Sequence, residues 1–91
     1  MFEFDPAKSA INKAKHGIDF LEAQDLWRDE NCVVALARAS GEHRWLVVGV
    51  IENRHWCAVV TLRGEAIRII SVRRARDGEI EGYERSKDKI G

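Results

Sequence analysis

Two links of two residues each, Glu52-Asn53 and Gly64-Glu65, constrain this chain more than any other feature. They separate three runs rich in β-branched and aromatic residues, 44–51, 54–63 and 66–74, and a link that short joins only antiparallel neighbours. A fourth run of the same kind, 32–38, is followed by the turn-like piece Ala39-Ser40-Gly41-Glu42. The four read as a meander of antiparallel hairpins, and 2–5 adds a candidate fifth strand at an edge. Alternation in the last run is imperfect. Ile67, Ile69, Ser71 and Arg73 fall on one face, with Arg68, Ile70, Val72 and Arg74 on the other. Each face is then partly apolar and partly cationic, as expected where helices cover part of a sheet and a groove runs over the rest.

Upstream of the strands the period is helical. Asp5 suits an N-cap and Pro6 a first helical position, while Ala7, Ala10, Ile11 and Ala14 recur at helical spacing. His16-Gly17 ends this helix, with Gly17 as its left-handed terminal residue. Asp19 and Glu22 form a capping-box pattern for a second helix, with Ile18 and Ala23 as its hydrophobic staple. Phe20, Ala23 and Trp27 make its expected buried stripe, and Asp29-Glu30-Asn31 ends it. A terminal segment, 77–89, offers Asp77 as an N-cap and only Ile80 and Tyr83 as an apolar pair, so it docks loosely if at all. The expected fold is α+β: two N-terminal helices on a four- or five-stranded antiparallel sheet, with a C-terminal helix.

At 91 residues the chain holds one domain, 1–91, with a thin core. That excludes doubly wound and barrel enzymes. The longest apolar run, 45–51, is far shorter than the ~20 residues of a membrane span, and the first residues lack the basic and apolar regions of a signal peptide. Two cysteines, Cys32 and Cys57, read as free thiols in a reducing cytoplasm. They and His16, His43 and His55 have no metal-ligand spacing, so no metal and no cofactor is expected. Phosphate-loop, dinucleotide and serine-nucleophile motifs are missing as well.

The net charge of zero hides an asymmetry. Residues 19–30 carry five acids and one base, whereas 54–76 carry six arginines and one acid. Arginine forks two parallel hydrogen bonds onto phosphate or carboxylate, so six in one strand-rich segment point to an anionic partner. RNA supplies its own nucleophile, the 2′-hydroxyl, and a protein that cleaves it needs positioning, charge stabilisation and proton transfer. Lys15, His16, Glu79 and Tyr83 are candidate proton handlers. Each also has a structural reading. Lys15 and His16 suit the last turn of a helix and Glu79 the first turn of one, while Tyr83 suits a pin between the terminal helix and the sheet.

The order of these pieces carries a resemblance. Phe4-Asp5-Pro6-x-Lys8-x3-Asn12-x2-Lys15-His16-Gly17-Ile18-x-Phe20-x2-Ala23 is similar to the opening signature of the BrnT family, toxins of bacterial toxin–antitoxin pairs. Glu42-x-Arg44-x4-Gly49, Thr61-x-Arg63-Gly64 and Ile67-Arg68-Ile69-Ile70-Ser71-x-Arg73-x-Ala75-x3-Glu79-x3-Tyr83 resemble the rest. The resemblance implies a RelE-like fold and a metal-independent endoribonuclease that restrains translation. It also implies a cognate antitoxin of ribbon–helix–helix type (BrnA-like), whose dimer carries two toxins and contacts operator DNA. Carried onto this chain, it nominates Arg63, Arg68, Arg73 and Lys15 as catalytic, with Glu79 and Tyr83 as proton-transfer or stacking groups. Arg44, Arg54, Arg74 and His16 complete the expected RNA-binding set. Val60 stands where the family often carries an aromatic, so a base-stacking ring would be missing here. The competing reading is a non-catalytic module that binds RNA or an acidic partner through the same arginines.

Overall fold

The computed structural model describes residues 1–37, 41 and 43–88. A short strand β1 (Phe2–Glu3) leads into helix α1 (Pro6–His16) and then a 3₁₀ helix (Glu22–Arg28). Four strands follow: β2 (Val33–Ala37), β3 (Arg44–Ile51), β4 (Arg54–Arg63) and β5 (Ala66–Arg74). Helix α2 (Asp77–Asp88) closes the described chain. The sheet order is β1-β5-β4-β3-β2. β2 to β5 form the expected antiparallel meander, whereas β1 adds to β5 in parallel, which makes the sheet mixed. The expected turn at 39–42 lies, apart from Gly41, outside the described residues.

The turns form as their residues dictate. Glu52 (φ 50°) and Asn53 (φ 67°) are both left-handed, the type I′ geometry whose twist matches that of the flanking strands. Gly17, at φ 82°, ends α1 with its N–H on the Lys13 carbonyl, as the sequence predicts. Asp5 caps the other end by accepting the Ala7 N–H at 2.8 Å.

Three expectations change. The second helix has its capping box, with Asp19 accepting from the Glu22 N–H and Glu22 from the Asp19 N–H, but it is a 3₁₀ helix. With three residues per turn, Ala23 and Leu26 align and are both fully buried, and Trp27 is left half-buried at the side. Secondly, α1 turns its apolar stripe outward. Ala7, Ala10, Ile11 and Ala14 are exposed, and the buried residues are Ser9 and Asn12. Thirdly, Arg76 and not Asp77 stands at the N-cap of α2, its N–H donating to Glu79 at 2.8 Å.

Polar burial on α1 has a specific cause. β1 covers only the first half of β5, so at Val72 the outer edge of that strand lacks a neighbour. Asn12 supplies one: its Oδ1 accepts the Val72 N–H at 3.2 Å and its Nδ2 donates to the Val72 carbonyl at 2.9 Å. The same Nδ2 donates to the Ile18 carbonyl at 2.8 Å, and the Ser9 hydroxyl accepts the Phe20 N–H at 2.9 Å. The amide thereby ties α1, the following loop and β5 together.

One face of the sheet, here the first face, packs under α1 and the 3₁₀ helix. Its core joins Ile18, Phe20, Ala23 and Leu26 to Val47, Ala58, Val60, Ile69 and Val72. Gly49 lets the 3₁₀ helix approach β3: a Cβ there would stand 3.0 Å from Leu26 Cδ2 and 3.3 Å from Asp29 Oδ2. The second face carries α2, whose Tyr83 packs with Val48 and Cys57.

Two stability outcomes follow. Asn12→Ala strands three buried backbone groups and is expected to lower unfolding free energy by about 3 kcal/mol in urea titration. Glu52→Asn with Asn53→Gly relieves the left-handed turn and is expected to raise it by about 1 kcal/mol.

Candidate functional site

The arginines are sorted between the two faces by one irregularity. The β4–β5 register shifts between Val59 and Val60, which pair with Ser71 and Ile69, so Ile70 is the extra residue of a bulge. Ile69 and Val72 therefore both enter the first-face core, where strict alternation would separate them. Arg68, Ser71 and Arg73 come together on the second face. The bulge unites the two arginines that the alternation pattern puts on opposite sides.

Register places the second-face residues in rows. Glu3 pairs with Arg68, and Arg68 with Thr61. The Trp45–Val60 pair puts Arg44 opposite Thr61 one step on. The next row is Leu46–Val59–Ser71, and the one beyond is Val48–Cys57–Arg73. Arg63 lies two residues past Thr61 on the same face. α2 covers the last row, leaving a half-buried floor of Leu46, Val59 and Ser71 between Arg44, Arg63 and Arg68 on one side and Arg73 on the other.

These cations are held to different degrees. Arg68 Nη1 donates to Glu3 Oε1 at 3.3 Å. Arg73 forks onto Glu79 with two bonds of 2.8 Å, both side chains about one-fifth exposed. Arg44 and Arg63 are exposed and have no carboxylate partner among the described residues. The Arg73 bonds, with help from the Arg76 N–H, hold the Glu79 carboxyl at about 2 against burial that opposes them. Glu79 is thus ionised throughout the neutral range. Beneath it, burial pushes the Cys57 thiol up to about 11.

Tyr83 is 3% exposed and its hydroxyl donates to Asp29 Oδ2 at 2.7 Å. Burial, then that bond, raises the phenol well above its usual range. Burial also works to raise Asp29, but bonds from Tyr83 and from the N–H groups of Asn31 and Val50 outweigh it and hold the carboxyl low. Far from docking loosely, α2 is fastened to the sheet at Glu79, Tyr83 and Glu84. The last of these meets His55 Nε2 at 2.9 Å, with the His55 ring edge-on to Tyr83.

The other expected residues lie elsewhere. Arg54 and Arg74 are on the first face, with Arg74 stacked 5.4 Å from the centre of the Trp56 ring. Lys15 and His16 line a cleft of about 200 Å³ at the outer edge of β5, with Lys8, Ile70 and Ser71. Val60 is 3% exposed in the first-face core, so an aromatic at this position would point away from the second-face arginines. Among the described residues no three His, Cys, Asp or Glu side chains are gathered to hold a metal ion. Sequence reasoning passed over Glu3, Asp29 and the His55–Glu84 pair, because each acts through a partner more than 20 residues away.

The arrangement is a basic sheet surface bounded by a terminal helix. Over residues 4–79 the chain matches the family model of the ribonuclease toxin BrnT of type II toxin–antitoxin systems. The chain belongs to that family. A BrnT toxin is an endoribonuclease, so RNA is the substrate and a cognate antitoxin the partner. Comparison with curated proteins gives no match. No helix among the described residues of this BrnT chain is long and apolar enough to cross a membrane.

The Arg73–Glu79 pair sets an acid limit on this toxin. Glu79 is depressed from 4.5 to about 2, so its contribution is present above pH 4.5 and is lost as pH falls toward 2. Urea unfolding across that window is expected to show stability falling by a few kcal/mol, and Glu79→Gln is expected to flatten the fall.

Proposed function

We propose that RNA binds across the open part of the second face, and that the scissile phosphate lies between Arg68 and Arg73. What supports this is one observation: the β5 bulge puts Arg68 and Arg73 on the same face as Arg44 and Arg63, around a floor of small and apolar side chains. Arg44 and Arg63, exposed and without a carboxylate partner among the described residues, capture the backbone. Arg68 and Arg73 are aimed by Glu3 and Glu79 and stabilise the charge that grows on the phosphoryl oxygens when the 2′-hydroxyl attacks. Arg68, with one bond to Glu3, keeps donors for the phosphate, whereas Arg73 shares with it the donors given to Glu79.

Roles for the remaining residues follow from their partners. Glu79, held at about 2, is a poor proton acceptor and acts as a positioning residue for Arg73. Tyr83, buried and bonded to Asp29, positions α2. His16, an imidazole that both accepts and donates, is the proton-transfer group of this reading, because its cleft at the β5 edge shares Ser71 with the floor between the arginines. This reading needs no metal, because the substrate carries its own nucleophile. The antitoxin in this reading is a ribbon–helix–helix dimer that carries two toxins, covers the arginine surface and contacts operator DNA itself.

Cleavage of purified RNA and of RNA on translating ribosomes, with a chelator present, tests the proposal. The Arg63→Ala/Arg68→Ala/Arg73→Ala variant is expected to lose at least about 100-fold in rate, the order of loss for removing charge stabilisation. Arg44→Gln/Arg63→Gln changes only exposed side chains. It is expected to weaken RNA binding and make its salt dependence shallower by about 1.4 log units per log unit of salt, at ~0.7 per phosphate contact. Wild-type cleavage by both folded variants would overturn the placement.

A further inference from the structure

Two features of the first face and its margin are unexplained by cleavage. The first is an apolar groove of about 270 Å³, with Val47 and Val60 as floor and Trp27, Trp45, Leu62 and Ile67 as walls. Lining it, Leu62 is 57% exposed and Val34 55%. The second is β2 itself, Val-Val-Ala-Leu-Ala, which stands at the end of the sheet. Among the described residues nothing pairs with its outer edge. It carries no charge, no proline and no bulge, the usual devices that stop an open edge from accepting another strand. Its alternate residues Val34 and Leu36, the latter 56% exposed, lie on the same face as the groove.

We propose that the cognate antitoxin adds an extended segment to the outer edge of β2, antiparallel to it, and lays alternate apolar side chains into this groove. The backbone edge supplies hydrogen bonds and the groove supplies selectivity for apolar residues at every second position. The size of the surface selects a segment over a second copy of the chain. Three half-exposed aliphatic side chains amount to a few hundred Å², against the ~800 Å² per partner of a standard stable interface. Charge sets the flanks. Ala37, at the C-terminal end of β2, pairs with the exposed Arg44, and exposed Glu30 lies before the N-terminal end. An antiparallel segment therefore carries acids before its apolar residues and a base after them. Its acidic stretch arrives from over Arg44, so the strand anchors a chain that also covers the arginine surface. The proposal rests on family membership for the existence of the antitoxin, and not on the site of cleavage.

The test uses the full chain, the full antitoxin and overlapping synthetic peptides that span the antitoxin. Val34→Lys/Leu36→Lys alters only exposed positions and leaves the fold intact. It is expected to weaken antitoxin binding by at least about 30-fold by calorimetry, the loss typical of central anchor residues. One peptide with alternate apolar residues and an acidic leading end is expected to bind, and to slow hydrogen exchange at the β2 amides. Unchanged affinity of the variant, or protection confined to other elements, overturns the proposal. So does a dimer of the chain alone that the two lysines dissolve, since that assigns β2 to a second copy. RNA cleavage by the free variant is expected to match wild type. If cleavage and antitoxin affinity fall together, the placement of RNA on the second face fails and the β2 site stands.

Discussion

An amide side chain standing in for a missing strand holds this fold together. Asn12 presents to the edge of β5 the donor and acceptor that a neighbouring strand would present, and it does so from a helix. Without it, the N–H and carbonyl of Val72 would be buried and unpaired, and α1 would lack its main reason to lie where it does. Asp29 solves the same problem at the other side of the sheet. Its Oδ2 accepts the Val50 N–H where β3 runs on past the end of β2, and it takes the Tyr83 hydroxyl as well. Each residue closes an edge and fastens a helix in one stroke, α1 in the first case and α2 in the second.

With those backbone groups paired, a single extra residue in β5 decides the chemistry of each face. The bulge at Ile70 restores Val72 and Ile69 to one core, and thereby turns Arg68 and Arg73 to the other side. Acidic residues of the 3₁₀ helix lie over the first face, and the exposed Arg44 and Arg63 stand on the second. The chain is neutral as a whole, but its exposed charges are unevenly placed, with Arg44 and Arg63 on the second face and Glu22 and Asp25 over the first. For RNA placed as proposed, that asymmetry favours encounter with the second face before any contact is made.

Features set by local chemistry were legible in the residues. The limits of β3, β4 and β5 follow from two-residue turns, and α1 from Asp5, Pro6 and Gly17. The Asp19–Glu22 capping box formed as written, but the helix behind it became 3₁₀. Its pitch is set by seating Ala23 and Leu26 against the sheet next to Gly49, which no local pattern encodes. The bulge stayed hidden because it belongs to the pairing of two strands and not to either one. Asn12 stayed hidden for another reason: a polar residue on a helix reads as solvent-facing, so the apolar stripe of α1 drew attention to the wrong side. Among the expected site residues, Arg44, Arg63, Arg68 and Arg73 were brought together. Arg54 and Arg74 were separated from them by the two-residue alternation of strands whose facing direction the sequence leaves open.

The fork between Arg73 and Glu79 joins two processes that are usually separate. The carboxylate that aims the guanidinium also accepts the Arg76 N–H and so caps α2. Any phosphate that draws Arg73 toward itself competes with that carboxylate for the same donors. On the proposed placement, gripping RNA therefore loosens the first turn of the terminal helix, and a ligand that steadies α2 makes Arg73 harder to recruit. Grip on a phosphate at Arg73 and order in the last twelve described residues would trade against each other through one shared acid.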